Sequence, residues 1–310
     1  MTVSVRQDAT SSKGNHMNIC VLYGGKSGEH EVSLRSAASV IKHLDRAKYQ
    51  VVAVGINKDG RWHLQEHIDI IDVQGEGDTL SIVPTVDPVS IVPADGIHGP
   101  CGKLSIDCVF PVLHSNFGED GVVQGLLETA GVPYVGAGVL GSAVSMDKET
   151  AKRLWRDAGL PIVDFAVVRR EKLEQDVAEA MERLNWPLFV KPGASGSSLG
   201  ASRATNLADL NAALSEALRY DNRALLERYI DAREIECAVI GNENPVSFPP
   251  GEIVPGHGHT FYDYDAKYKD LNGAELLATA ELDSSAQERI MRTAEEAYAC
   301  LLYTSDAADE

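Results

Sequence analysis

Ile19-Cys-Val-Leu-Tyr-Gly-Gly25 is a short, wholly apolar run closed by two glycines. A strand buried on both faces has this continuous apolar character, whereas a half-exposed one alternates. Beyond it, Leu34, Ala37, Ala38, Ile41 and Leu44 recur at helical spacing, and Tyr49–Ile56 is a second strand-like run. Strand, helix, strand predicts a parallel α/β layer. Cys108–Val112 and a helical Val122–Ala130 continue it, and residues 58–106, rich in Gly, Pro and Asp, predict loops and short strands.

Further along, helices are predicted over Lys148–Ala158 and on to Leu184, with strands near Phe165–Val168, Pro187–Val190 and Gly200–Ala204. Asn206 is a fitting N-cap for a helix whose apolar stripe is Leu207, Leu210, Leu214 and Leu218. Ala224–Ile230 and Glu234–Ile240 read as alternating strands of a third unit. A last helix, Ser284–Leu302, would bury Ala286, Ile290, Ala294, Ala297 and Leu301. With 310 residues, about two or three domains are expected. The predicted divisions are a disordered leader over 1–16, an N-terminal α/β domain over 17–136, a central domain over 137–226, a C-terminal domain over 227–302 and a tail over 303–310. Met17 is a plausible true start.

The formal charge of −18, from 46 acids against 28 bases, argues against nucleic-acid and anionic-membrane partners but leaves a phosphate-bearing small molecule open. Five scattered cysteines without a C-x-x-C pair point to a reducing cytoplasm. No apolar run reaches the ~18 residues of a membrane span.

Lys191-Pro-Gly-Ala-Ser-Gly-Ser-Ser-Leu-Gly200 packs three glycines and three serines between two strands. Backbone N–H groups and hydroxyls can cradle a phosphate there, with the Lys191 ammonium at the end of the preceding strand; a plain Gly/Ser-rich hairpin loop is the alternative. Gly25-Lys26-Ser27 resembles the end of a P-loop, but the leading glycine that motif needs is Cys20. Gly136–Gly141 fits G-x-G-x-x-G, yet the run before it is short and contains Pro133, which favours a structural turn over a nicotinamide site. Gly24–Ser33 lies at the carboxyl end of the first strand, where an open α/β sheet places its ligand crevice. There Glu29 or Glu31 is either a helix-dipole partner or the acceptor of a substrate ammonium. His114 stands at another strand end. His257 and His259 have no third ligand nearby in sequence and read as loop. Thr260–Asp270, with its Tyr and Lys residues among aspartates, suits either a lid over a ligand or a solvated surface strand.

Together, GGKSGEHEVSL (24–34), LHSNFGEDGVVQGLLETAGVPYVGAGVLGSAVSMDK (113–148), LFVKPGASGSSLG (188–200), LLERYI (225–230) with REIECAV (233–239), and FYDYDAKY (261–268) resemble the D-alanine–D-alanine ligases of the ATP-grasp superfamily. The resemblance runs from about Met17 to about residue 300. It implies an N-terminal parallel α/β domain followed by two α+β units that clamp ATP. The activity implied is joining two D-alanines for peptidoglycan synthesis, with ATP and two magnesium ions (manganese as a substitute), in a cytoplasmic homodimer.

By the same resemblance, Glu29 binds the ammonium of the first D-alanine and His114 lies near its carboxylate. Lys148 and Lys191 hold ATP phosphates, and Ser197 and Ser198 reach the phosphates and the reacting centre. Glu29, Ser197 and Tyr268 form a hydrogen-bonded set. The hinge Glu227, Arg228 and Ile230 receives adenine, Glu234 the ribose, and Lys267 the transferring phosphate. The lid around Tyr268 looks like that of D-alanine-incorporating members. Ser115-Asn116 and Asp265 depart from the family's usual glycine and glutamate.

Family members continue past the last helix into a strand bearing an arginine and an aspartate, then a segment like N-E-x-N-x-x-P-G with further metal ligands. Leu301–Glu310 matches none of this and resembles translated read-through; Asp306, Asp309 and Glu310 have no sheet to orient them. The expectation is a truncated, catalytically crippled chain with no assignable metal ligand. The rivals are a non-catalytic ATP- or amino-acid-binding remnant and a nicotinamide-dependent oxidoreductase.

Overall fold

The computed structural model describes residues 3–6, 16–72, 77–242, 244–256, 258, 261–268, 270 and 272–302. In chain order the elements begin β1 (Val3–Arg6), β2 (Met17–Gly24), α1 (His30–His43), β3 (Tyr49–Ile56), β4 (Trp62–Gln65), β5 (His67–Asp72) and β6 (Asp78–Thr79). Then come β7 (Ser90–Val92), β8 (Gly96–Gly99), β9 (Gly102–Lys103), β10 (Cys108–Val112), α2 (Val122–Ala130), α3 (Val139–Met146) and α4 (Lys148–Asp157). The series continues with β11 (Phe165–Arg169), α5 (Leu173–Arg183), β12 (Leu188–Pro192), β13 (Ser202–Ala204), α6 (Leu207–Tyr220) and β14 (Arg223–Arg228). It closes with β15 (Glu234–Glu236), β16 (Val239–Ile240), β17 (Val246–Ser247), β18 (Gly251–Pro255), α7 (Tyr264–Tyr268), β19 (Ala274–Leu277) and α8 (Ser284–Leu302). Two compact units result, Met1–Ala143 and Val144–Glu310.

The first unit is built on the sheet β10-β2-β3-β4, in which β2 runs parallel to both neighbours and β4 is antiparallel to β3. The apolar run of β2 is buried on both faces. Val21 and Tyr23 pack with Ala37, Ala38 and Ile41 of α1, while Cys20 and Leu22 pack with Val123 and Leu127 of α2. Burying Val21, Leu22, Ile41 or Leu127 is worth about 1.5–3 kcal/mol each relative to exposure, and the alanines less. Gly24 ends the strand at φ +91, and a Cβ there would lie 2.2 Å from the Ile56 carbonyl oxygen, so no larger residue fits this exit. Residues 58–106 hold the short strands β4–β9, as their composition predicts.

The leader reading needs correction at four residues. Val3–Arg6 pair antiparallel with His67–Ile70, because backbone pairing satisfies the N–H and C=O groups of an otherwise open strand edge.

In the second unit the main sheet is β11-β14-β12-β13, with every pair antiparallel. One face, including Val168, Leu188, Val190 and Leu226, packs on Leu210, Leu214 and Leu218 of α6 and Ala180 of α5. By strand alternation the opposite face carries Phe165, Phe189, Lys191 and Glu227. A second sheet, β15-β18-β19, follows.

Three sequence readings change here. Ala224–Ile230 supplies β14, which lies inside the main sheet between β11 and β12 rather than in a third unit, so the boundary drawn at 226/227 cuts a strand. Local pattern identifies a strand but not its neighbours. Glu234–Ile240 is not one strand but the short β15 and β16, in separate sheets. Leu207 is 60% exposed despite its place on the α6 stripe, as the first residue of the helix, whereas Leu210 is fully buried. The cap itself is as expected, with the Asn206 side chain accepting from Ala208 N and Asp209 N. On α8, Leu301 is buried, while Ala286, Ile290, Ala294 and Ala297 are half-buried.

Candidate functional site

The first unit gathers its chemistry at the carboxyl ends of β2 and β10. Ser33 acts as a clamp there: its hydroxyl accepts from Gly24 N at 2.7 Å and donates to the Val112 carbonyl, tying both strand ends to α1. The His30 ring contacts the Gly25 carbonyl at 2.7 Å through Nδ1. The loop Gly24–Ser33 is thereby held where a crevice opens. Glu29, at the start of α1, is 5% exposed. His114 follows β10, with Nε2 3.1 Å from the Ser36 hydroxyl. Ser115 and Phe117 both take positive φ, +61 and +68, and the Ser115 N–H donates to Glu119 at 2.5 Å. Burial pushes the Glu119 carboxyl up, with Glu29 and Asp120 adding to it and His114 opposing. A cavity of about 160 Å³ opens among Gly24, Gly25, Lys26, His114 and Asn116, small enough for an amino acid.

The second unit concentrates positive charge. Asp147 caps α4, accepting from Thr150 N, and the helix then presents Lys148 and, one turn on, Lys152. A cavity of about 320 Å³ is lined by Lys148, Lys152 and Lys191 together with Ser145, Trp155 and Ile162. Glu227 on β14 is the carboxylate among them, with Lys152 and Lys191 each 2.8 Å from one of its oxygens. Lys148 donates to the Ser195 carbonyl at 2.5 Å. Its own pKa is pushed down to about 8, first by burial and then by Lys191, against the pull of Glu227, Asp221 and Asp147.

The Gly/Ser loop stands beside this cluster. Ser197 and Ser198 both adopt left-handed backbone, φ +53 and +57, which costs non-glycine residues about 1–2 kcal/mol each. Strain of this kind collects where backbone N–H groups are aimed at a ligand. The Ser198 hydroxyl donates to the Tyr262 carbonyl at 3.0 Å, and Tyr262 N donates to Glu234 at 2.8 Å. Phe261 meets Phe189 edge to face at 5.0 Å. The 261–268 segment is therefore seated on the loop and on β15, as a lid would be, and its last part forms the short α7. Lys267 lies over the Tyr262 ring at 4.8 Å.

Excess ammonium charge in a partly buried cavity, next to a strained hydroxyl-bearing loop, fits a polyphosphate. A metal site is not similarly assembled: among the described residues no group of three or more His, Cys, Asp or Glu could hold an ion. The described residues thus offer magnesium no built site.

Of the residues singled out from sequence, Glu29 and His114 lie in the first unit. Lys148, Lys191, Ser197, Ser198, Glu227, Glu234 and Lys267 lie in the second. Arg228 and Ile230 are exposed at and beyond the end of β14. The side chain of Tyr268, His257, His259 and residues 303–310 fall outside what the structure describes. Gly136–Gly141 is a turn running into α3, preceded by only an isolated bridge between Val109 and Tyr134, which fits the structural reading of that motif. Lys152 was missed. Its signal was the spacing of two lysines one helical turn apart, Lys148 and Lys152, which puts both on one face of α4.

The match to known proteins covers both units. Residues 18–137 match the family model "D-ala D-ala ligase N-terminus" and residues 154–307 match "D-ala D-ala ligase C-terminus". The chain belongs to the D-alanine–D-alanine ligase family. A family member from Treponema denticola, named D-alanine–D-alanine ligase, is 43% identical over 299 residues, spanning 92% of this chain and 80% of that protein. A ligase from a Thermoanaerobacter species is 45% identical over 289 residues, spanning 91% and 79%. Among solved structures, the VanG D-Ala:D-Ser ligase from Enterococcus faecalis superposes with a TM-score of 0.76 at 31% identity, covering 92% of this chain and 83% of that one. The D-alanine–D-alanine ligase from Coxiella burnetii gives 0.75 at 32% identity, covering 93% and 78%. The ATP-grasp architecture expected from sequence is that of these ligases.

Proposed function

We propose that this protein joins two D-alanines into D-alanyl-D-alanine at the expense of ATP, forming ADP and phosphate, and so supplies a peptidoglycan precursor in the cytoplasm. The observation that carries the proposal is the lysine-lined cavity beside the strained Ser197–Ser198 turn, in a chain whose two halves both match this family.

The chemistry explains why such a cavity is needed. A carboxylate is a poor electrophile, and phosphorylation turns it into an acyl phosphate that an amine can attack. The protein's part is largely positioning and charge neutralisation. Lys148 and Lys191 hold the phosphates of ATP, the Ser197 and Ser198 N–H and hydroxyl groups steady them, and Lys267 neutralises charge on the phosphoryl group in transit. Glu227, Arg228 and Ile230 border the adenine, and Glu234 takes the ribose hydroxyls. Glu29 accepts from the ammonium of the first D-alanine, and His114, oriented by Ser36, lies by its carboxylate. Attack by the second amine gives a tetrahedral oxyanion, which positioned donors stabilise.

Product analysis of the chain incubated with ATP, magnesium and D-alanine tests this: ADP and D-alanyl-D-alanine should appear in equal amounts. With D-serine added, the D-alanine product should still predominate. ADP release independent of any D-amino acid would refute the ligase reading. Replacing Glu29→Gln removes one charge at constant shape. Losing one charge-assisted hydrogen bond, about 1.5–3 kcal/mol, should raise KM for D-alanine at the first position about 10- to 100-fold while KM for ATP stays put. Equal loss of both would assign Glu29 a structural role.

A further inference from the structure

We infer that the second unit carries another anion site, a cavity on the edge strand β11 that takes a phosphate-bearing small molecule with two or more negative charges. The cavity, about 260 Å³, is lined by Arg153 and Arg156 from α4, Arg169 from β11 and Arg183 from α5, with Phe165 as part of its wall. Four guanidinium groups drawn from three elements converge on it in a chain with a formal charge of −18.

Two of the four are already engaged. Arg153 lies 2.6 Å and Arg169 3.7 Å from the same oxygen of buried Glu149, and Arg169 also lies 3.5 Å from Asp176. Asp176, buried as well, is further committed to Arg169 N at 2.8 Å. The remaining carboxylate on the wall, Glu179, accepts from Gln175 at 2.9 Å. Arg156 and Arg183 have no carboxylate within ion-pair distance among the described residues. Arg156 rests over the Phe165 ring at 5.7 Å, leaving its guanidinium edge open. Each of these two stands in the last turn of its helix, where a cation is favoured. That preference explains a basic residue on each helix but not why both meet at one cavity. Two forked, permanently charged donors facing one space match the oxygens of a phosphate ester or pyrophosphate, which accept in bidentate fashion.

The site also touches the machinery that holds Lys148. Glu149 accepts from Arg223 at 3.0 Å on its other oxygen, and Arg223 lies 2.5 Å from Asp147, the cap of α4. An anion that draws Arg153 and Arg169 away from Glu149 changes the charge balance at the base of that helix.

Calorimetric titration with inorganic pyrophosphate tests the inference on the full chain saturated with a non-hydrolysable ATP analogue, so that the Lys148–Lys191 cavity is filled. The expected result is saturable binding of one pyrophosphate per chain, weakening as salt rises. The double variant Arg156→Gln/Arg183→Gln should lose at least tenfold in affinity. The control Arg219→Gln, on an exposed arginine paired with Glu216, should bind as the parent does. Both target side chains are exposed, so folding should survive, and each single variant should show a partial loss. Absence of binding once the analogue is bound, displacement of the analogue alone, or unchanged affinity in the double variant would each overturn the site.

Discussion

Lys148 shows how a side chain acquires a property that its own chemistry does not supply. Burial and the neighbouring Lys191 bring its pKa down to about 8, so the free protein loses this charge as pH rises through that value. Phosphate binding favours the charged form. Affinity for ATP is therefore fully present below pH 8 and should fall above it, by up to about tenfold per pH unit, while proton uptake accompanies binding near pH 8. Titrations in buffers of different ionisation enthalpy would measure that uptake. In Lys148→Arg the charge persists, and the fall should vanish from this range. A flat profile in the parent protein would place the phosphates elsewhere. The role proposed for Lys148 comes from its SMDK context, but its lowered pKa has no signal there, because desolvation depends on neighbours brought in from β12 and β14. Lys152 went unnoticed for a related reason: its importance lies in facing Glu227, which is distant in sequence.

Helix α4 contributes to both the lysine-lined and the arginine-lined cavity of the second unit. It opens with the Asp147 cap, which accepts from Thr150 N at 2.8 Å and lies 2.5 Å from Arg223. Asp147→Ala removes the cap and one of the carboxylates that hold Arg223, leaving Glu149, so it should destabilise the protein by about 1–2 kcal/mol and raise KM for ATP by displacing Lys148. Asp147→Asn keeps a capping oxygen and should cost less of both; urea denaturation beside ATP kinetics separates the two contributions. The Gly/Ser loop has a comparable constraint. Gly200 sits at φ +71, and a Cβ there would meet the Tyr220 ring at 2.7 Å. Ser197 and Ser198 bear their positive φ without that exemption, so their geometry is maintained by the surrounding loop rather than by their own preference. The glycine and serine content of the loop was plain in the sequence, whereas which of its residues would be strained was not.

For the molecule as a whole, ligand binding to the native state should appear as added stability. At an ATP analogue concentration of about 100 times Kd the gain is about 2.7 kcal/mol. For a unit of this size that amounts to a rise in Tm of roughly 5–10 °C in the second unit. Scanning calorimetry should show this rise, and Lys191→Ala should abolish most of it; a shift that survives Lys191→Ala would remove the phosphates from β12. No helix among the described residues is long and apolar enough to cross a membrane.

The linear chain determined whatever depends on nearest neighbours. The buried parallel strand at Ile19–Tyr23, the Asn206 cap, the turn at Gly136–Gly141 and the family blocks were all readable because propensity, periodicity and spacing are local. Only the tertiary structure decided that β14 lies between β11 and β12, that Glu227 stands between Lys152 and Lys191, and that four arginines from three elements share one cavity. Strand partners and pKa values are set by contacts between segments far apart in sequence and by the water those contacts exclude. Neither is encoded in the residue that displays it.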